Sequence, residues 1–253
     1  MAYQRDKNYL LKKNFKSYYN NSLEKYRCES FFSKEPELIY WIDNFKYNSN
    51  FVDIGSNIGL YSIYSTLIKK NINCYSIEPF FKNYKRLLEN ISLNRSDKVY
   101  PLFIGLDEKP SISNFFSHDL RSSSSGGQIN KPIDEKGKKF KPLDKSRILV
   151  FNLDTLVELK IIPLPNYIKI DVDGNEIKII KGIKNILSNK NFISIFIEIN
   201  NFNNKFKYFK NFFNKFHLYP DDKINNFLNH SSIRRKKNNN ANCVNFVFSK
   251  LKN

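Results

Sequence analysis

Two segments far apart in the chain carry acids and glycines at a spacing suited to ligand chemistry: FVDIGSNIGLYS (Phe51 to Ser62) and YIKIDVDGNEIKIIKG (Tyr167 to Gly182). Each is an apolar run of strand type that passes into acid and glycine and then into a helical pattern. In an open α/β sheet that order places polar groups at the C-terminal edge of the parallel strands, where ligands bind. In the first segment Gly55 and Gly59 allow a sharp turn and close approach of a ligand to the backbone, and the following helix is expected to aim free N–H groups there.

The spacing discriminates among ligands. A dinucleotide fingerprint needs G-x-G-x-x-G, and the middle position here is Asn57, so the turn is not built for a pyrophosphate. Asp53 before the turn would repel phosphate and suit a cation. A second strand ends in Ile77-Glu78-Pro79, where a carboxylate can accept both hydrogens of a ribose diol. A ribose without pyrophosphate, beside an acid that favours a positive centre, describes S-adenosylmethionine.

The elements that position these residues alternate in the manner of βαβ units. Strand Phe51 to Ile54, helix Leu60 to Lys70, strand Cys74 to Glu78, helix Asn83 to Leu93 and strand Val99 to Leu106 come first. After a break follow Ile148 to Leu159, strand Tyr167 to Val172, helix Glu176 to Leu187, strand Phe192 to Ile199, an aromatic amphipathic helix Lys205 to Phe216 and strand Cys243 to Phe248. The pattern implies a mostly parallel sheet in one domain over 1–253. A helical lead-in occupies 1–50, and a lid-like insert, 111–147, carries a short strand at Ile112 to Phe116 and the run RSSSSGGQ (Arg121 to Gln128).

DIGSNIG, IEP, the Leu153-Asp154 of NLDTL, IKIDVDGNE with the IKG after it, and the EI of FIEIN together resemble the FkbM family of S-adenosylmethionine-dependent methyltransferases, in the family's order over roughly Phe51 to Asn200. The resemblance implies a Rossmann-like class I methyltransferase fold, a three-layer α/β sandwich whose mostly parallel sheet ends in an antiparallel C-terminal strand. It implies O-methylation of a sugar, glycan or other small-molecule hydroxyl. Two departures stand out: Asp173 replaces the family's usual Glu, and the insert matches only through its Ser-rich patch, which leaves the acceptor open.

The expected cofactor contacts are Asp53, Gly55, Ser56, Asn57, Gly59, Glu78, Pro79, Gly105, Leu106 and Asp171. Because a sulfonium already activates its methyl group, the protein must hold an acceptor oxygen in line, exclude water and remove one proton. Asp171, ending the fourth strand, and Glu198, ending the fifth, are the candidate catalytic carboxylates, with Asp171 nearer the methionine end. His118 beside Asp119 is a further candidate base. Ser123 and Ser124 are candidate hydrogen-bond partners of a polyol acceptor, and Glu176 is either an acceptor contact or, like Asp173 and Asp154, a helix cap.

A formal net charge of +18 would attract polyanions, yet Lys here travels with abundant Asn, Ile, Phe and Tyr, so solvated lysine faces explain most of it. A nucleic-acid partner therefore ranks behind a small-molecule or glycan hydroxyl. A ribose-directed enzyme, in which Asp171, Glu198 and lysines mimic a Lys-Asp-Lys-Glu tetrad, is the alternative, and a non-catalytic cofactor-binding module is another. Cys28, Cys74 and Cys243 are too dispersed for a disulfide framework or zinc knuckle, and the scattered His118, His217 and His230 suggest no metal site. The run Arg234 to Lys237 reads as a solvated loop. No stretch reaches the roughly 18 to 20 apolar residues of a membrane span, and a cytoplasmic location is expected.

Overall fold

The structure, a computed structural model, describes residues 7–12, 14–68, 70–134, 136–200, 202–225 and 243–250. His230 and the basic run Arg234 to Lys237 lie outside them.

The lead-in is not wholly helical. It opens with an antiparallel hairpin, β1 (Lys7–Lys12) and β2 (Phe15–Tyr19), before α1 (Ser22–Lys34) and α2 (Pro36–Asp43). The strand conformation of β2 depends on partners far along the chain. The Lys16 and Tyr18 amides donate to the side chains of Asn94 and Asn90, each at 2.9 Å, and no local pattern reveals that.

The alternating region follows as β3 (Asn50–Ile54), α3 (Leu60–Leu67), β4 (Asn73–Ile77), α4 (Phe81–Asn94) and β5 (Val99–Leu102). Next come β6 (Gly105–Leu106), β7 (Ser111–Ser117), β8 (Gln128–Ile129), β9 (Asp144–Phe151), α5 (Leu153–Glu158) and β10 (Tyr167–Ile170). The chain continues through α6 (Glu176–Lys181), α7 (Lys184–Ser188), β11 (Ser194–Asn200), α8 (Phe202–Asn214), β12 (Leu218–Pro220) and β13 (Cys243–Lys250).

The main sheet runs β12-β13-β11-β10-β3-β4-β5. Five adjacent strands, β11-β10-β3-β4-β5, are parallel, and β13 pairs antiparallel with β11 and β12, the C-terminal reversal that the family resemblance implies. From β3 the chain winds outward through β4 to β5, then returns to lay β10 on the other side of β3. The strand order therefore reverses between β3 and β10, and a crevice opens at their C-terminal tips.

Strand periodicity assigns the faces. Phe51, Tyr167 and Phe196 pack with Trp41, Phe45 and Ile63 on one side, while Val52, Ile168 and Ile195 pack with Leu156, Ile180 and Phe213 on the other. Both faces are covered by helices, giving the three-layer arrangement.

Two expected elements are divided. The strand read as Val99 to Leu106 leaves the main sheet after Leu102; Gly105–Leu106 joins a second, four-stranded sheet, β6-β9-β7-β8. The insert thus contributes strands to this second sheet, with β7 and β9 paired from Ser111↔Val150 to Ser117↔Asp144. The helix read as Glu176 to Leu187 breaks at Gly182, where an added Cβ would stand 2.7 Å from the Asn152 Cβ and 2.9 Å from the Asp107 carbonyl oxygen.

Candidate active site

A cavity of about 290 Å³ lies at the crevice, lined by the β3, β4, β10 and β11 tips, by the inner face of α1 and by the Ser-rich stretch of the insert. Gly55, Ser56, Asn57, Glu78, Pro79, Leu106, Ser124, Asp171 and Glu198 all line it, so one concavity gathers most of the residues singled out by sequence.

The turn after β3 is dictated by its glycines. Gly55 has φ +75°, and a Cβ there would lie 2.0 Å from the Asp171 carbonyl oxygen, so only glycine lets the β3 and β10 tips meet. Gly59, φ +82°, is not a cavity residue; it makes room for Leu87 of α4, whose Cδ1 would be 2.2 Å from an added Cβ. The turn's amides are not free for a ligand either. Gly55 and Ser56 donate to the Ile77 carbonyl, Asn57 to Glu78, Ile58 to the Asn57 side chain and Gly59 to the Ser56 carbonyl. Ser56 Oγ, by contrast, is buried without a partner.

Glu78 is buried at the end of β4 and bound from three sides. The Asn57 amide donates to Oε2 at 2.8 Å, the Phe80 amide to Oε1 at 2.9 Å and Asn83 Nδ2 to Oε1 at 3.4 Å. Burial pushes its carboxyl up to about 7 against the downward pull of those donors.

Asp53 does not reach the cavity. Its side chain projects to the α3 side of the sheet, accepts a 2.6 Å hydrogen bond from Ser62 Oγ, and pairs at 3.2 Å with Lys169, its register partner on β10. Lys169, wholly buried, also meets Asp171 Oδ2 at 3.1 Å, so one ammonium bridges a buried and a cavity-facing carboxylate. Burial would raise the Asp171 carboxyl, but the charges of Lys169 and Lys34 outweigh it and hold it at about 2. The neighbouring Glu198 carboxyl is driven well above the ordinary range by burial and by the negative charges of Asp171, Glu35 and Asp173. Two carboxylates in one cavity are thus tuned in opposite directions, Asp171 toward the ionised form and Glu198 toward stronger proton affinity.

The other side of the cavity is a roof from two remote segments. Arg27, Ser30, Phe31 and Lys34 share one face of α1 by their i, i+3, i+4, i+7 spacing and line the cavity. Ser124, Ser125, Gly127 and Gln128 line it from the insert. The Ser124 carbonyl accepts from Asn57 Nδ2 at 2.9 Å and Asn83 Nδ2 at 3.1 Å, and Asp173 accepts from the Gly126 amide.

Several expected contacts lie elsewhere. His118 is exposed, edge-on to Phe140, and does not line the cavity. Ser123 is buried behind the cavity wall, its amide donating to Asn83 at 2.7 Å. Gly105 packs against Ile129 and Ile148 in the second sheet. Glu176 caps its own turn, accepting from the Gly174 amide at 2.8 Å and from Asn200 Nδ2 at 3.3 Å. Asp154 caps the remote α7, accepting from the Asn185 and Ile186 amides.

Sequence reasoning overlooked Lys169, Arg27, Lys34 and Tyr61, which donates to Glu35 at 2.9 Å and lies 5.8 Å beneath the Lys169 ammonium. A lysine inside the apolar run YIKI, opposite Asp53 once two parallel strands are aligned, was a legible signal; so was the α1 spacing.

Comparison with known proteins bears on this geometry. The family profile described as "Methyltransferase FkbM domain" matches residues 53–232. The chain is 32% identical over 147 residues to the hexuronic acid methyltransferase AglP of Haloferax volcanii, covering 56% of this chain and 53% of that protein. It therefore spans about half the length of that curated relative. The crystal structure of the methyltransferase FkbM from Methylobacillus flagellatus KT superposes with a TM-score of 0.52 at 14% identity, over 81% of this chain and 44% of that one, a likeness of fold. No helix among the described residues is long and apolar enough to cross a membrane.

Proposed function

The chain belongs to the FkbM methyltransferase family, and from that premise we propose that it is an S-adenosylmethionine-dependent O-methyltransferase acting in the cytoplasm on a hydroxyl of a sugar or glycan, with an acidic sugar such as a hexuronic acid as the leading acceptor class. The observation that carries the reading is the convergence, in one cavity, of Glu78 at one end and the oppositely tuned Asp171 and Glu198 at the other. The hexuronic acid methyltransferase of H. volcanii supports the choice of acceptor.

The cavity fits the cofactor on its own terms. Glu78 retains lone pairs for a ribose diol, Gly55 keeps the wall free of a Cβ, and Ser56 Oγ is an unpartnered polar group beside it. When bound, S-adenosylmethionine supplies a methyl group already activated by its sulfonium. Asp171 would contribute a fixed negative charge to the cavity that holds that cation, and its lowered pKa, the mark of a stronger acid, makes it a poor base. Glu198, whose proton affinity is raised, orients the oxygen and, in its ionised form, takes the hydroxyl proton. The α1 face and the Ser124–Gln128 stretch exclude water from the closed space.

A ribose-directed tetrad has less support, because Lys169 is committed to Asp53 and Asp171, and Lys34 is paired with Glu35 at 3.1 Å. The test is transfer of labelled methyl from the cofactor to hexuronic-acid-containing glycans. Glu198→Gln is expected to lower kcat by roughly 10²- to 10⁴-fold with cofactor affinity retained. Undiminished turnover in Glu198→Gln would exclude it as the base.

A further inference from the structure

The cavity is rich in acid, lined by Glu78, Asp171, Asp173 and Glu198, yet both the amino-acid tail of S-adenosylmethionine and an acidic sugar carry a carboxylate. A carboxylate entering this space needs a free positive donor, and nearly every donor is already engaged. The five amides from Gly55 to Gly59 are used within the protein. Lys169 is held at 3.2 and 3.1 Å by Asp53 and Asp171, and Lys34 is paired with Glu35.

Arg27 differs. Its Nε donates to the Ser123 carbonyl at 3.1 Å, and among the described residues its two terminal nitrogens have no partner. The anchor is itself fixed, because the Ser123 amide donates to Asn83 and the Ser124 carbonyl accepts from Asn57 and Asn83. The guanidinium is therefore held by one edge, and it lines the cavity close enough to both Glu78 and Asp171 to pull each carboxyl down. It thus shares one cavity wall with the proposed ribose-binding and proton-transfer carboxylates. A planar fork anchored through Nε presents its remaining N–H pair in the geometry that matches a carboxylate.

Building on the methyltransferase reading, we infer that Arg27 is the carboxylate-binding residue of the cavity, closing a charge-assisted, two-point contact with a ligand carboxylate that no other cation in the wall is free to make. The carboxylate belongs either to the amino-acid tail of the cofactor or to the acceptor sugar.

Calorimetry on the full chain separates these sources. S-adenosylhomocysteine carries the amino-acid carboxylate and 5′-methylthioadenosine lacks it, while both carry the nucleoside that Glu78 is proposed to hold. Arg27→Gln is expected to lose roughly ten- to hundredfold in affinity for S-adenosylhomocysteine and to bind 5′-methylthioadenosine as the wild type does. If S-adenosylhomocysteine affinity is instead unchanged, the second arm compares D-glucuronate with D-glucose on protein saturated with S-adenosylhomocysteine; loss of a glucuronate preference in Arg27→Gln assigns the contact to the acceptor. An equal loss for both nucleosides would mean that Arg27 only props the roof, and no change in either arm would leave it without a ligand; each result overturns the inference while the methyltransferase reading stands. Failure of the wild type to bind either nucleoside would remove that reading itself.

Discussion

The two sides of the cavity are assembled from contacts of very different range. Gly55, Glu78 and Asp171 each sit just past the end of the strand that delivers them, and Glu198 sits on β11, two residues before its end, so a strand and one register suffice to place each group. The roof instead joins α1 to the insert across almost a hundred residues. Ser122 Oγ donates to Glu24 at 2.6 Å, and the same buried carboxylate pairs with Arg86 of α4 at 2.7 Å and accepts the Asn20 amide at 2.7 Å. A wall made of covalently adjacent groups inherits the rigidity of the sheet. A roof held by hydrogen bonds at the Glu24 junction and at Asn57, Asn83 and Asp173 can open separately, as a region of lower local stability.

The largest expected effect lies in the wall. Lys169→Met strips the counter-charge from Asp53, which is buried completely, and should cost about 3–5 kcal/mol in urea unfolding at neutral pH. The pH dependence carries a sign. Asp171 is depressed to about 2 in the folded protein against roughly 3.9 unfolded, so its contribution is present above about pH 4 and lost as pH falls toward 2. The variant lacks the cause of that depression, and the gap between it and the wild type should therefore narrow over the same window. A constant gap would mean that the ammonium is not what sets the Asp171 charge.

Gly55→Ala should follow, at about 3 kcal/mol, since the new methyl meets a backbone carbonyl that cannot move without separating β3 from β10. Glu24→Gln should cost less globally, about 2 kcal/mol, because Arg86 keeps Glu89 at 2.8 Å. Hydrogen exchange sharpens the contrast. In Glu24→Gln, amides of α1 and of Ser122 to Gln128 should exchange faster while those of β3 and β10 keep their protection; uniform acceleration would mean that wall and roof are one cooperative unit.

The same contrast explains what was legible in the sequence. Strand, turn and acid at Asp53–Gly59, Ile77–Pro79 and Lys169–Glu176 are contiguous, so the order of elements and most of the cavity's acids could be read directly, while the antiparallel direction of the last strand comes from the family resemblance. Side-chain direction could not. Asp53 lies in the most informative motif, yet the period of two sends it to the α3 face and into Lys169, while Glu78, just past the end of β4, falls in the cavity. Gly59 reads as a ligand contact because glycine after a strand has that use, and Gly105 stands among the expected cofactor contacts; here each yields space to a neighbouring side chain. In the insert the short strand Ile112 to Phe116 is legible, but not its pairing, because β9 starts only at Asp144, past the Ser-, Gly- and Lys-rich stretch. The β1–β2 hairpin was missed for the same reason, its edge being completed by amide side chains of α4.

The smallest expected effect tests the wall at Glu78, where two properties should change with pH in opposite directions. Its folded carboxyl is raised to about 7 against roughly 4.3 unfolded, so the ligand-free protein has its full stability from this group below about pH 4.3 and loses it as pH rises through 7. A ribose diol donates two hydrogens, which the ionised carboxylate accepts better than the protonated acid, so the nucleoside favours the charged form and its binding releases a proton. Affinity for S-adenosylhomocysteine should then rise between pH 6 and pH 8, by up to about tenfold, and level off above, because ionisation of one group with a value near 7 changes the competent fraction by no more than that. In Glu78→Gln both slopes should vanish together. If the variant retained the rise in affinity while losing the fall in stability, the titrating group that meets the nucleoside would be another, and the β4 tip would have only a structural carboxylate holding the Asn57 and Phe80 amides.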